Sequence, residues 1–157
     1  MDIIDTILTN TYTIQDMRHR MRILKSNLEN TLFGKVQTEI LSSDDTIWLS
    51  SLTLSFINYF TKDNIYSSFK NIEAELKKLK ILIIYLSFEP EQEQIENIGK
   101  WLRTNLTEIK LFDIKLDPSL LGGIALVKDG VYKDYSLKTR IQEQGEMILV
   151  EFKKYIR

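Results

Sequence analysis

The chain has 157 residues, 43% hydrophobic and 27% charged, with 21 Lys and Arg against 22 Asp and Glu. A chain of this length buries roughly 70% of its unfolded surface, so it needs no disulfide or metal staple to fold. Without Cys and with a single His, it has no thiolate metal site, cysteine nucleophile or two-imidazole metal site, and a net charge of −1 lacks the basic excess of a nucleic-acid binder.

Residues 1–79 hold no proline and only Gly34, whereas residues 80–157 hold both prolines and the other five glycines. That change of punctuation predicts a helical region followed by an α/β region, with the boundary between 79 and 80. In the first region Ile14, Met17, Met21, Leu24 and Leu28 follow 3,4,3,4 spacing, and Leu32 extends it. The spacing predicts an amphipathic helix whose stripe either packs inside a small bundle or docks a partner helix. Arg18, His19, Arg20, Arg22 and Lys25 decorate the same helix and read as a solvated face, with His19 exposed and inert.

Ser42, Ser43, Asp44 and Asp45 supply N-cap residues for a helix carrying Ile47, Trp48, Leu49, Leu52, Phe56, Ile57 and Phe60. Thr61-Lys62-Asp63-Asn64 breaks that run, and Ile65, Tyr66, Phe69, Ile72, Leu76 and Leu79 predict a further helix ending among lysines.

Lys80 to Phe88 is apolar on both faces, the pattern of a central strand. Ser87 is positioned to cap a helix whose first turn holds Glu89, Pro90, Glu91 and Glu93, with Ile95, Ile98, Trp101, Leu102 and Leu106 as the buried stripe. Glu108 to Leu116 alternates as a half-buried strand, so a parallel, right-handed β-α-β crossover is expected. Asp117-Pro118 turns the chain toward Gly122-Gly123 and a strand over Ile124–Val127. Asp129-Gly130 signals a type I′ hairpin returning as Val131–Tyr135. Asp134 or Ser136 then caps a last helix with Leu137, Ile141, Ile148, Phe152 and Ile156 on one stripe. The expected fold class is α+β: a small N-terminal helical bundle (1–79), then a β-α-β-β-β-α domain (80–157) with a mixed sheet.

Reactive chemistry is scarce. There is no phosphate-binding Gly-x-x-x-x-Gly-Lys-Ser/Thr, and Gly122-Gly123 precedes a strand, whereas a phosphate cradle opens a helix. Asp113, Asp117, Asp129 and Asp134 lie close in sequence, but turns and a cap explain three of them. No catalytic, cofactor-binding or metal-ligating residue is assigned. No stretch reaches the ~18–20 apolar residues of a membrane span, and Met-Asp-Ile-Ile-Asp does not read as a secretory signal or transit peptide.

Residues 116–140 carry something more specific. Leu116-Asp-Pro-Ser-Leu-Leu-Gly-Gly-Ile124, then Lys128-Asp-Gly-Val131, then Lys133-Asp-Tyr-Ser-Leu-Lys-Thr-Arg140 resembles the C-terminal signature of the F-type ATP synthase delta subunit family, which includes the oligomycin-sensitivity-conferring protein. The signature positions are Asp117, Pro118, Gly122, Gly123, Asp129, Gly130, Asp134 and Ser136. The upstream order, and helices over 47–60 and 65–79, look like the family too.

The resemblance implies a non-catalytic stator subunit with no cofactor. Its helical domain is expected to contact N-terminal segments of the catalytic head's alpha subunits. Its α/β domain is expected to hold the C-terminal helices of the membrane-anchored b subunits. Its place would be peripheral, on the cytoplasmic face of a bacterial membrane or the matrix or stromal side in an organelle. One departure stands out: the family's N-terminal bundle is longer than the residues preceding this first strand. Ile14, Met17, Met21, Leu24 and Leu28 form the candidate seam for a partner helix. Two other readings stay in view, a stalk subunit like the E subunit of V/A-type ATPases, which calls for one long N-terminal helix, and an unrelated α/β interaction module or enzyme.

Overall fold

The computed structural model describes residues 3–34 and 41–155. Five helices come first: α1 (Ile3–Ile7), α2 (Ile14–Phe33), α3 (Ser43–Ser51), α4 (Leu54–Asn58) and α5 (Ile65–Leu76). They are followed by β1 (Lys80–Leu86), α6 (Gln92–Asn105), β2 (Ile109–Leu116), a 3-10 turn (Pro118–Leu120), β3 (Ile124–Lys128), β4 (Val131–Asp134) and α7 (Leu137–Tyr155). The class is α+β, with helices preceding a mixed sheet. Several separate helices stand where a V/A-type stalk subunit calls for one.

Helix α2 starts where Thr13 accepts a hydrogen bond from the Asp16 amide at 3.0 Å. It ends where Gly34 turns left-handed at φ 67°, its amide donating to the Asn30 carbonyl. The residues expected in one helix over 47–60 instead form two. Leu52 is extended at ψ 130°, and Thr53 caps a new start by accepting from the Phe56 amide. A threonine flanked by apolar residues can restart a helix, so continuous spacing concealed the break. The break turns Phe56 and Phe60 into one core with Trp48, Phe69 and Leu76.

A second correction concerns α6. Its N-cap is Glu91, not Ser87: Glu91 and Gln94 form a reciprocal capping box, with the Glu91 amide 2.9 Å from Gln94 Oε1. Glu89 and Pro90 lie before the helix rather than in its first turn. Ile156 lies outside the described residues.

The sheet runs in the order β2-β1-β3-β4. β1 and β2 are parallel, joined through α6, and β3 pairs antiparallel with both β1 and β4. Leu82, Ile84, Leu86 and Phe112 pack on the α6 face together with Leu102. On the opposite face Leu111 joins the helical core of Leu24, Leu28, Trp48 and Phe56. Helix α6 thus packs on one face of the sheet, and the N-terminal helices meet the other face at β2 through Leu111.

Candidate functional site

Six of the eight signature positions, Asp117, Pro118, Gly122, Gly123, Asp134 and Ser136, converge on one structural task, launching α7. Asp117 Oδ1 accepts from the Ser119 amide at 3.0 Å, and the Asp117 amide donates to the Leu86 carbonyl at 2.7 Å. Pro118 opens the 3-10 turn, whose Leu120 is buried. Gly122 accepts at its carbonyl from the Leu137 amide at 2.9 Å. Gly123 sits at φ 76°, and a Cβ there would lie 2.6 Å from the Tyr135 carbonyl oxygen. Only glycine fits that close, left-handed approach. Asp134 Oδ1 accepts from the buried Ser136 amide at 2.7 Å, and Ser136 Oγ accepts from the Thr139 amide at 3.3 Å. Both expected caps are thus used in series. These hydrogen bonds to Ser136 hold the Asp134 carboxyl below its ordinary pKa.

Asp129 and Gly130 have φ values of 49° and 80°, the paired positive angles of a type I′ turn joining Lys128 to Val131. At the base of that hairpin Glu108 pairs with Lys128 and with Lys80, the latter at 2.9 Å. Hydrogen bonds and charge from Lys128 first, then Lys80, lower the Glu108 carboxyl to about 2. The four sequence-neighbouring aspartates stay apart in function, and among the described residues no group of three His, Cys, Asp or Glu could hold a metal.

Of the seam residues, Met21, Leu24 and Leu28 are buried in the helical core, Met17 packs against it, and Ile14 is half-buried. The deeper part of the seam is thus filled by the chain's own helices. His19 is exposed as expected but has a structural partner: its Nε2 lies 3.1 Å from Oδ1 of the buried Asp45, the residue that closes the α3 capping box with Ser42. Burial pushes the Asp45 carboxyl up, but hydrogen bonds from Ser42 and His19 outweigh it and leave the group below its usual value.

The sequence reading missed how the helices join the sheet. Residues 11–13 run along the β2 edge, where Thr13 bridges Phe112 in parallel and the Phe112 amide donates to the Tyr12 carbonyl at 3.0 Å. Arg103 donates to the Thr11 and Lys110 carbonyls and lies 4.6 Å over the Tyr12 ring. The ring rests on Gly99, where a Cβ would come within 2.2 Å of it. A lone glycine inside an amphipathic helix was the only sequence signal for this contact.

Among the described residues, two apolar surfaces of the C-terminal half remain open. Helix α7 packs on the 3-10 turn, and its Ile141, Ile148 and Phe152 are exposed. Separately, a trough of about 910 Å³ lies between α6 and the β3–β4 half of the sheet. Leu82, Ile84 and Ile98 are among its lining residues, and Trp101, Val131 and Tyr135 are exposed along it. Trp101, expected in the buried stripe, is 59% exposed because only the Ile95, Ile98, Leu102 and Leu106 flank of α6 meets the sheet. No described helix is long and apolar enough to cross a membrane.

A search of curated proteins finds no match to the chain. The family model for the ATP synthase delta (OSCP) subunit matches residues 57–148, from α4 through most of α7 and including every signature position. With more than half of its length matched, the chain belongs to the ATP synthase delta (OSCP) subunit family, whose members are structural subunits of the F-type ATP synthase peripheral stalk.

Proposed function

We propose that this protein joins the catalytic head of an F-type ATP synthase to its membrane-anchored stalk, with residues 1–79 and 80–157 acting as two modules. Residues 80–157 take the C-terminal helices of the b subunits. Residues 1–79 contact N-terminal segments of the alpha subunits. The complex holds the protein at the membrane surface through these partners, on the cytoplasmic face in a bacterium.

The observation that carries this reading is α7. It is a 19-residue helix whose Ile141, Ile148 and Phe152 stripe is left exposed, in a half of the chain that also carries an open apolar trough. A monomer leaves such area open at a cost in solubility, and large exposed apolar patches mark interaction sites. A stalk helix laid against α7 and the trough would bury both through anchors spaced i, i+3, i+4, i+7. No reactive group is needed: resisting rotor torque requires area and rigidity.

The test is purification of the tagged protein from its own cells, with identification of what accompanies it. Head and stalk subunits are expected together. The paired change Ile148→Asp, Phe152→Asp should release the b subunit while alpha stays bound. Recovery of neither subunit with the wild-type protein sinks the reading, and retention of b by the double variant removes α7 from it.

A further inference from the structure

We infer that Lys133 sets the register of the stalk helix seated in the trough, by pairing with one carboxylate on that helix. The inference rests on the reading of the trough as a stalk-helix surface, and adds to it the charge that helix must carry. Alternation along β4 puts Val131, Lys133 and Tyr135 on the trough side. Tyr132 turns to the opposite face, where its ring meets Tyr85. Pairing across the sheet sets Ile84 of β1 beside Leu126 of β3, and Leu126 beside Lys133 of β4. That row is apolar over two strands and ends in a lysine on the edge strand.

The chain does not answer this charge itself. The other charged residues lining the trough are compensated: Lys128 pairs with Glu108, and Asp129 lies 3.8 Å from Lys80. The adjacent Asp134 is taken by the Ser136 amide at 2.7 Å and the Tyr132 hydroxyl at 3.3 Å. Among the described residues no ion pair or side-chain hydrogen bond engages the Lys133 ammonium.

A wholly apolar helix laid here would cover the ammonium or force it out over the sheet edge, so this position would contribute nothing to its binding. A helix with one Asp or Glu among its apolar anchors meets the lysine where water is largely displaced and screening is weak. The pair also discriminates between seats. A slip of one turn, for a helix lying along β4, moves the carboxylate by roughly 6 Å, to Val131 or Tyr135. One polar residue in an apolar seam fixes register in this way. A stator benefits from that uniqueness, because a helix free to slip between equivalent apolar seats would yield under torque.

The probe is the soluble part of the b subunit from the same cells, titrated calorimetrically into the full chain. Lys133→Glu should weaken binding at least roughly tenfold, and Lys133→Met, which keeps the apolar stem, should weaken it less. Acidic residues of the b C-terminal helix are then changed to Lys one at a time. A single position should restore binding to Lys133→Glu while weakening binding to the wild type, a reversal that no misfolded variant can mimic. Equal affinity of wild type and both Lys133 variants overturns the inference and leaves Lys133 as an edge residue that discourages strand pairing. Rescue at no position, or at positions more than one turn apart, overturns it as well. Failure of the stalk reading is distinct from these outcomes: the wild type would then bind no b subunit, and both would fall.

Discussion

Gly123 carries the most restrictive backbone requirement of the signature. Its positive φ and the 2.6 Å separation of a would-be Cβ from the Tyr135 carbonyl act together. Gly123→Ala should cost about 2–3 kcal/mol in urea unfolding, the scale of a left-handed strain combined with a backbone clash. Gly145, inside α7 with open space around it, is the control: Gly145→Ala should be neutral or stabilising by up to about 1 kcal/mol. Equal losses at both would remove the geometric explanation. The second residue-scale case is Asp45. A carboxyl whose folded-state pKa lies below its unfolded value stabilises the fold above the unfolded value, and that contribution disappears as pH falls through the folded one. Asp45 is lowered, so Asp45→Asn should cost about 1 kcal/mol near neutrality, with wild type and variant converging in acid. A gap that persists unchanged well below the ordinary carboxylate range would assign the loss to packing instead.

At the scale of elements, burial separates α6 from α7. Both are amphipathic, yet Leu102 of α6 is 4% exposed while Phe152 of α7 is 65% exposed. Truncating Leu102 to Ala should destabilise the monomer by about 2–5 kcal/mol through transfer loss and cavity formation. The Ile148→Asp, Phe152→Asp pair should move it by less than about 0.5 kcal/mol, because these side chains already face water. Calorimetry of the two variants side by side decides the matter. A large loss from the α7 pair would mean the helix folds back on its own chain, leaving the stalk contact without its principal surface.

For the whole molecule, the question is how force crosses from helices to sheet. The strand-like pairing of residues 11–13 with β2, the Arg103 hydrogen bonds and the Tyr12 ring seated on Gly99 form one continuous joint, reinforced by Leu111 in the helical core and a Lys110–Asp5 ion pair. A stator benefits from such a joint because side-chain packing transmits strain with little compliance. Arg103→Ala removes donors to two backbone carbonyls and the cation over Tyr12. Wild type should unfold in one calorimetric transition, whereas Arg103→Ala should broaden or split it as helices and sheet uncouple. A single transition in the variant, merely shifted in temperature, would show that Leu111 and the strand pairing couple the two without Arg103.

The order of strands and helices from Lys80 onward was legible because each of those elements carries its own period and its own stop signal. The Asp129-Gly130 turn and the Ser136 cap were readable for the same reason: both are decided within four residues by φ preferences and a short hydrogen bond. The family was legible in the 116–140 signature, since those positions build a hairpin turn and one joint at the start of α7. What local rules could not reach was any contact set by distant partners. His19 became the partner of a cap 26 residues away, Trp101 was left on an open flank, and Gly99 was needed for a tyrosine 87 residues upstream. The amphipathic pattern of α2 and of α7 is likewise the same whether a helix packs on its own chain or waits for another. Periodicity specifies that a face is apolar; only the tertiary structure decides that α2 spends most of its face inside the bundle while α7 leaves its face exposed.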